Sequence, residues 1–339
     1  MIDPNITAQI IEILLSKIEA KDQELGRLLI HDEFEDLDER IVIWAIRENI
    51  RDLKETTITD FHEIVDIGDM EIKVTYSPRN FFEDVLIGKN VPYWQVATVM
   101  RLLNNSDIIY DPKGKLENWR EGAKYVEWQA EVIELKRKTS QMLLERMNNR
   151  ILDDMLVDGY IWLIKAAEEA ICIPLMIKNA FGIGTASLLL DTLHNAEINL
   201  YDFFRNLIRI HEFTPEKLEN ARLELELLAD RLYQQNIKTD REMWILAAFV
   251  SINESERRLK QSLKIKTSDI NSTVASRLFE TAVGELWQAY FLVAQNPRSA
   301  VKLDPWVVAS FWNWFGSPEI DEKWIKSKEN YIRDIISIQ

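Results

Sequence analysis

Residues 69–119 decide the fold of this chain, and they read DMEIKVTYSPRNFFEDVLIGKNVPYWQVATVMRLLNNSDIIYDPKGKLENW. In Glu71–Tyr76, charged or polar residues alternate with Ile72, Val74 and Tyr76. This alternation is the period of a strand with one buried face. The stretch therefore predicts a strand at its beginning, in a chain whose later parts look helical.

The same stretch contains the signals of two helices and a further strand. Ser77-Pro78 predicts a helix start, with Ser77 as the cap and Pro78 at the first helical position. A second helix is predicted after Pro92. The short apolar run Ile108–Tyr110 predicts a strand that enters the turn Asp111–Gly114.

Three earlier segments also have the composition of short strands. These segments are Leu28–Ile30, Arg40–Ile46 and His62–Asp66, and they are bounded by charged residues or glycine. Together with the two strands of residues 69–119, they predict a small mixed sheet with helices between the strands. We therefore expect an α+β domain over residues 1–118.

Residues 119–339 are expected to form a large all-helical bundle of about eight helices. We expect one long helix or two collinear helices over residues 119–157, and a kink or break at Pro174. Cap-plus-proline pairs predict three later helix starts, at Thr214-Pro215, Asp304-Pro305 and Ser317-Pro318.

The composition narrows the class of protein. The chain has 339 residues, is 47% hydrophobic and carries a formal net charge of -15. This charge argues against general affinity for nucleic acids or anionic membranes, although it leaves room for a local basic patch. The low counts of 10 glycines and 9 prolines favour long helices over a β-sandwich or barrel.

The sequence predicts a cytoplasmic protein without a membrane partner. No apolar run reaches the ~18 residues of a membrane span, and the first residues, MIDPNITAQ, lack the pattern of a signal peptide. The single cysteine, Cys172, lies in an apolar run. We expect it to be a small buried residue.

The order of the predicted elements resembles the nucleotidyltransferase superfamily over about residues 6–120. The likeness is to the antibiotic-nucleotidyltransferase-like members that carry a C-terminal helical domain. Two segments carry it: IVDIGDMEIKVTYSPRNFFEDVL (residues 64–86) is similar to the late strand and following helix of that family, and SDIIYDPKGKLENW (residues 106–119) is similar to the end of its catalytic domain.

The resemblance implies three carboxylates that bind Mg²⁺ and a nucleoside triphosphate. The matching pair is Asp36 and Asp38 in EDLDERIVIW, and the third carboxylate is Glu71 in DMEIKV. Residues i and i+2 of an extended segment point the same way, which lets such a pair face the same metal ions. The implied reaction transfers a nucleoside monophosphate to a hydroxyl, with Glu71 as general base or third metal ligand.

This chain departs from the family pattern after its first strand. His31-Asp32 follows the first strand, where the family has a Gly-Ser pair whose backbone amides hold the phosphates. Asp36 and Asp38 also fit a solvated acidic turn, and Glu71 fits the polar face of a strand. We therefore interpret the chain as a divergent member, and the alternative is a catalytically inactive binding or assembly protein.

A second pattern lies in FFRNLIRIH, where Arg205 and His211 are separated by five residues. It is similar to the catalytic pattern of HEPN-type ribonucleases. Positions six apart on a helix lie on different faces. The two side chains could therefore converge only if the helix ended before His211; otherwise they are a surface arginine and a helix-terminal histidine.

Two surface patterns concern partners. The first is an aromatic cluster in Trp306–Phe315. It indicates a helix buried in the bundle, a homo-oligomer interface through this C-terminal aromatic helix, or the wall of an apolar pocket. The second is the basic run from Arg257 to Lys266, which fits a solvated helix end or a contact with a phosphate-bearing ligand or RNA.

Overall fold

The computed structural model describes most of the chain in two compact units, residues 1–127 and residues 128–339. The described residues are 8, 11–12, 27–31, 40–47, 62–67, 70–181, 185–237, 239, 241–266, 272–295 and 303–338. The predicted domain boundary at Trp119 lies inside a helix of the first unit. The division between the two compact units comes later, after Glu127.

The described residues of the first unit form a five-stranded mixed sheet, which confirms the predicted α+β class. Its strands are β1 (Arg27–His31), β2 (Arg40–Arg47), β3 (His62–Ile67), β4 (Met70–Pro78) and β5 (Ser106–Tyr110). The spatial order is β3-β4-β2-β1-β5. Only the β2–β4 pair among these strands is parallel, and the other three pairs are antiparallel.

Strand β2 is the centre of this sheet. Ile43 and Ala45 are buried on one side of the strand, and Val42 and Ile46 are buried on the other. A strand that is buried on both faces needs a continuous apolar run instead of an alternating one. The sequence RIVIWAI supplies that run.

Among the described residues of the first unit, three helices have both bounds resolved: α1 (Arg79–Leu86), α2 (Tyr93–Asn105) and α3 (Lys115–Ala123). The predicted start of α1 is wrong by one residue, because the helix begins at Arg79 and not at Pro78. Ser77 still pairs with Ile46 in the sheet, and Pro78, the last residue of β4, takes the cap position before Arg79. Proline has no backbone N–H to leave unpaired, so it suits this junction between strand and helix.

The predicted turn at Asp111–Gly114 is confirmed, and it starts α3. Gly114 has a φ of 61°, a left-handed conformation that favours glycine. The Asp111 carboxylate accepts hydrogen bonds from the backbone N–H groups of Lys115 at 2.9 Å and Leu116 at 2.6 Å. These bonds satisfy donors at the helix start that have no partner within the helix.

The second unit is the predicted helical bundle, and its described part contains nine helices. They are α4 (Ala130–Leu152), α5 (Leu156–Ile177), α6 (Ala186–Ala196), α7 (Ile198–Leu207), α8 (Pro215–Asn236), α9 (Glu242–Lys266), α10 (Ser272–Ala294), α11 (Pro305–Phe315) and α12 (Glu322–Ile336). Within the described ranges, no helix has both the length and the apolarity that a membrane span requires.

Two predicted helix starts are confirmed, and one is wrong. Thr214 accepts a hydrogen bond from the N–H of Lys217 at 3.1 Å, and Asp304 accepts one from Trp306 at 3.0 Å. The last helix does not start at Ser317-Pro318. It begins at Glu322 behind Asp321, whose carboxylate accepts the N–H of Trp324 at 2.7 Å.

The helices around residues 119–177 also differ from the prediction. The chain leaves helix after Ala123 and re-enters it at Ala130. Between these points Trp128 stacks on Phe181 and donates its ring N–H to the carbonyl of Ala180 at 3.0 Å. Helix α5 continues for one turn beyond Pro174, to Ile177, so proline does not break it.

The core of the second unit is aromatic. Phe311 and Phe315 of α11 are fully buried and stack with ring centroids 4.8 Å apart. Trp287 and Tyr290 of α10 surround Phe311 at 5.5 and 5.8 Å. Gly284 lets α10 approach α6 closely, because a Cβ atom there would lie 3.0 Å from the backbone nitrogen of Ser187.

Candidate functional site

The sheet brings the starts of strands β2 and β4 to one edge. In the parallel register, Glu71 of β4 lies opposite Arg40, the first residue of β2. On its other side, Glu71 lies opposite Asp66 of β3. This row of Arg40, Glu71 and Asp66 across three strands marks the edge at which the sequence predicts the carboxylate site.

The predicted metal ligands Asp36 and Asp38 lie outside the described residues, as does the side chain of Glu71. The register fixes only the backbone position of Glu71. Asp66 is a carboxylate at the same level that the sequence analysis did not single out. In the sequence, Asp66 is simply one residue of the strand HEIVDI. The antiparallel pairing of β3 with β4, which sets Asp66 opposite Glu71, could not be derived from that segment alone.

No group of three or more His, Cys, Asp or Glu side chains in the described parts of the chain is placed to hold a metal ion. The magnesium site at Asp36, Asp38 and Glu71 therefore stays a prediction.

The second unit contains a buried polar cluster that the sequence did not reveal. Glu280 of α10 is buried, and its two carboxylate oxygens have different partners. One oxygen accepts a hydrogen bond from the hydroxyl of Tyr201, and the other accepts one from Nε of Arg205 at 3.0 Å. Tyr201 and Arg205 are four residues apart on α7, so both can reach the same acid.

A narrow surface depression lies beside this Glu280 cluster. Its polar lining adds His194 and the ion pair of Arg277 with Asp191. The ring of His194 packs edge-on against Tyr201 at 5.1 Å. The carboxylates and guanidinium groups here neutralise one another, so the depression has no excess charge that would select a charged ligand.

Burial raises the pKa of the Tyr201 hydroxyl, and its hydrogen bond to Glu280 raises it further. The phenol therefore stays protonated and keeps donating to the carboxylate at neutral pH. Arg205, one residue of the predicted ribonuclease pair, donates a hydrogen bond from Nε to the same carboxylate of Glu280.

His211 lies beyond the end of α7, as a convergent pair with Arg205 requires. The helix ends at Leu207, and a short 3-10 turn covers Ile210–Glu212. Burial lowers the pKa of the half-exposed His211, and the charges of Arg209 and Arg205 lower it further. The imidazole is therefore neutral at pH 7 and lies within electrostatic reach of Arg205.

Arg209 and Lys217 are two of the cations that act on His211. Arg209 has a φ of 55°, unusual for a residue other than glycine, and its guanidinium pairs with Glu212. The ammonium of Lys217 lies 4.7 Å from the ring centroid of Phe213. Burial lowers the pKa of Lys217, as does the nearby Arg209. Arg209 and Lys217 therefore add positive charge around His211, and the carboxylate of Glu212, 3.8 Å from Nε2 of His211, offsets part of it.

The basic run at the end of α9 is largely neutralised by its own helix. Arg257 and Arg258 both pair with Glu254, at 2.5 and 2.7 Å, and Lys260 pairs with Glu256 at 2.8 Å. This pairing favours the interpretation of a solvated helix end over that of a surface that binds RNA.

The C-terminal aromatic helix, α11, is divided between core and surface. Phe311 and Phe315 are fully buried, whereas Trp306 is 75% exposed. Ser310 and Trp314 both donate hydrogen bonds to the carboxylate of Glu224 on α8. Most of the predicted aromatic cluster therefore packs within the bundle, and Trp306 alone of its five aromatic side chains is largely open to solvent.

Comparisons with known proteins find only a distant likeness. No family model matches the chain, and no curated protein matches it. Among solved structures, the chain is similar to a nucleotidyltransferase-like protein from Exiguobacterium sibiricum 255-15, with 10% identity and a TM-score of 0.39. The match covers 58% of this chain and 65% of that one. A likeness this distant does not by itself define an activity.

Proposed function

We propose that this chain is a divergent nucleotidyltransferase-like protein that binds a nucleoside triphosphate with Mg²⁺ through Asp36, Asp38 and Glu71. The observation that carries the proposal is the parallel register of β2 and β4, which puts Glu71 opposite Arg40. Asp38 precedes Arg40 by two residues in the sequence. This register supports our proposal that the three carboxylates act together at one edge of the sheet.

The donor set fits magnesium. Mg²⁺ prefers oxygen ligands and is commonly bound by one or two carboxylates together with substrate phosphates. Asp36, Asp38 and Glu71 would provide such oxygens, and the triphosphate would provide the others. When bound, the metal neutralises the phosphate charge, which offsets the repulsion expected from a site so rich in carboxylates.

The proposed reaction transfers a nucleoside monophosphate to an acceptor hydroxyl. The acceptor oxygen forms a bond to the α-phosphorus, the bond from that phosphorus to the bridging oxygen of the β-phosphate breaks, and pyrophosphate leaves. Glu71 takes the proton of the acceptor hydroxyl as general base. The orientation of acceptor and triphosphate at the sheet edge is the main contribution of the protein.

The end of β1 makes this chain a divergent example. β1 ends at His31, where the resembling family has glycine and serine that expose backbone amides to the phosphates. A histidine cannot offer the same close backbone approach. We therefore expect weak triphosphate binding, and a complete absence of binding would favour a non-catalytic assembly protein.

Thermal denaturation with and without nucleotide tests the proposal. Millimolar ATP or GTP with Mg²⁺ should raise the Tm of the wild-type protein by several degrees, since a ligand at ~100 times its Kd stabilises by about 2.7 kcal/mol. The rise should vanish in Asp38→Asn and in Glu71→Gln. The matched control is Glu121→Gln, an exposed carboxylate on α3 that pairs with Lys124.

Two outcomes would overturn the proposal. One is the absence of any Tm rise with either nucleotide in the wild-type protein. The other is an equal rise in the wild-type protein, Asp38→Asn and Glu71→Gln, because the nucleotide would then bind elsewhere on the chain.

A second candidate function, RNA cleavage at His211, is favoured by the observation that α7 ends before this residue. A neutral His211 would take the proton of a ribose 2′-hydroxyl. The freed oxygen would attack the adjacent phosphorus, and the 5′-oxygen would leave and take a proton from water. His211→Ala should abolish cleavage of an RNA substrate, and His194→Gln should retain it; persistence of cleavage in His211→Ala would exclude this function.

A further inference from the structure

Arg40 is the first residue of the central strand β2, so it lies at the same edge of the sheet as the start of β4. In the parallel register, its neighbour on β4 is Glu71. Residues paired in this way share a face of the sheet, and their strands lie about 4.8 Å apart. A cation and an anion are therefore neighbours in the row that contains one of the proposed metal ligands.

The end of β1 lies at this edge too. β1 ends at His31, which pairs with Val42, and Val42 is two positions from Arg40. Because β2 lies between β4 and β1 in the sheet, the start of β2 is flanked by the start of β4 and the end of β1. The sequence that follows β1, Asp32–Asp36, contains four acids and no lysine or arginine. The segment after β1 therefore supplies no cation for a phosphate.

Few cations belong to the strands of this sheet. The five strands contain four lysines and arginines, namely Arg27, Arg40, Arg47 and Lys73. Arg27 and Arg47 belong to the opposite edge, where they pair with Ile46 and Pro78. Lys73 pairs with the buried Val42, two residues further into the sheet than Glu71. Arg40 is thus the one strand cation that is in register with Glu71.

A triphosphate at this edge requires positive charge. Three carboxylates and a fully ionised triphosphate carry about seven negative charges, and a pair of Mg²⁺ ions offsets about four of them. Asp66, which pairs with Glu71 from β3, adds another acid to the row. Arginine presents its donors in a planar fork that fits phosphate oxygens through two parallel hydrogen bonds. The position of Arg40 therefore suits a contact with phosphate.

We propose that Arg40 binds the β- and γ-phosphates of the nucleoside triphosphate, an inference that rests on the function proposed above. Without ligand, the charge of Arg40 offsets that of Glu71 across the two strands. When the triphosphate binds with Mg²⁺, Glu71 exchanges the arginine for metal and acceptor, and Arg40 exchanges the carboxylate for phosphate. The guanidinium then stabilises the charge that develops on the leaving pyrophosphate.

Calorimetric titration of the full chain with ATP and Mg²⁺ tests the inference. Arg40→Gln should weaken ATP binding roughly tenfold or more, because hydrogen bonds between charged groups are the stronger ones. Arg40→Lys keeps the charge but loses the planar fork, so its loss should be smaller. The matched control is Arg47→Gln, at the other end of the same strand and about 23 Å away. It should bind ATP as the wild-type protein does.

Inorganic triphosphate separates a phosphate contact from a contact with base or ribose. It should bind the wild-type protein in the presence of Mg²⁺, and Arg40→Gln should weaken this binding by the same factor as it weakens ATP binding. Equal binding of inorganic triphosphate to both proteins, or no binding to the wild-type protein, would overturn the inference.

Metal binding without nucleotide separates this role from a purely structural one. Because Arg40 offsets the charge of Glu71 in the free protein, its removal should leave the metal site at least as attractive to cations. Arg40→Gln should therefore bind Mn²⁺, followed by electron paramagnetic resonance, at least as tightly as the wild-type protein. Weaker Mn²⁺ binding in this variant would show that Arg40 only maintains the structure of the edge, and would overturn the inference.

The inference and the proposed function can fail separately. If the wild-type protein binds no ATP, or if Asp38→Asn binds it unchanged, the proposed function is wrong and the role of Arg40 is excluded with it. If binding depends on Asp38 and Glu71 but is equal in the wild-type protein and Arg40→Gln, the inference alone is overturned. A larger loss in Lys73→Gln than in Arg40→Gln would overturn it as well, because Lys73 would then be the main phosphate ligand.

Discussion

Glu71, at the start of β4, lies opposite Arg40, at the start of β2, in the parallel register of the sheet. Because parallel strands start at the same edge, the residue that follows the segment before β2 lies beside the beginning of β4. Asp36 and Asp38 belong to that preceding segment. This pairing of strands supports the proposed acidic site better than the sequence spacing alone, since Asp38 and Glu71 are 33 positions apart in the chain.

The pKa of His211 should respond in opposite directions to two neighbouring charges. Lys217 lowers this pKa and Glu319 raises it. We expect Lys217→Gln to raise the pKa of His211 and Glu319→Gln to lower it, measured by NMR titration of the imidazole. The wild-type pKa should lie below the ordinary value of about 6.5. A wild-type value at or above that, or shifts of the same sign in both variants, would contradict the proposed surroundings.

The same lowered pKa has a consequence for stability. Between its folded pKa and the ordinary value, the unfolded His211 binds more protons than the folded one. Folding stability from this residue is therefore lost as the pH falls through about 6.5 toward the folded pKa. A urea-denaturation series should show a smaller loss in His211→Gln than in the wild-type protein.

Glu285 should give the opposite dependence on pH. Burial raises the pKa of this carboxyl, although the charge of Arg258 and a hydrogen bond from Ser187 oppose the shift. With a raised folded pKa, stability is present below the ordinary pKa of about 4.5 and is lost as the pH rises through the folded value. Glu285→Gln should therefore gain stability relative to the wild-type protein as the pH rises from 4.5 to 8. A constant difference over this range would show that Glu285 titrates normally.

Phe311 should be the most costly aromatic residue of α11 to truncate. It stacks on Phe315 at 4.8 Å and contacts the rings of Tyr160, Trp287 and Tyr290. Phe311→Ala should lower the free energy of unfolding by about 3–5 kcal/mol, measured in urea. The control Leu152→Ala, at an exposed helix end, should change it by no more than ~0.5 kcal/mol. A loss of less than ~1 kcal/mol in Phe311→Ala would contradict the packed core.

The sequence predicted the strands better than the helix boundaries. RIVIWAI is apolar at both alternating sets of positions, so its place as a buried central strand follows from composition. The predicted start at Ser317-Pro318 failed because Asp321 provides a competing cap only a few residues later. The interruption before Ala130 could not be predicted locally, since it depends on Trp128 packing against Phe181, which lies 53 positions further along the chain.

The polar clusters were the least predictable part. Glu280 takes its partners from Tyr201 and Arg205, which lie more than 70 positions earlier in the sequence. No local spacing marks such a contact, because it depends on how α7 and α10 pack. The Arg205–His211 pattern was visible in the sequence. The sequence did not show that Arg205 forms an ion pair with Glu280, and this pair limits the freedom of Arg205 to act on a substrate.

Calorimetric titration of ATP into the full chain tests most directly whether a nucleotide binds with Mg²⁺ through Asp36, Asp38 and Glu71. We predict saturable binding of one nucleotide per chain with Mg²⁺. Binding should be lost with excess EDTA and in both Asp38→Asn and Glu71→Gln, and retained in Glu121→Gln. No heat of binding at millimolar ATP or GTP, or unchanged binding in both carboxylate variants, would contradict the claim.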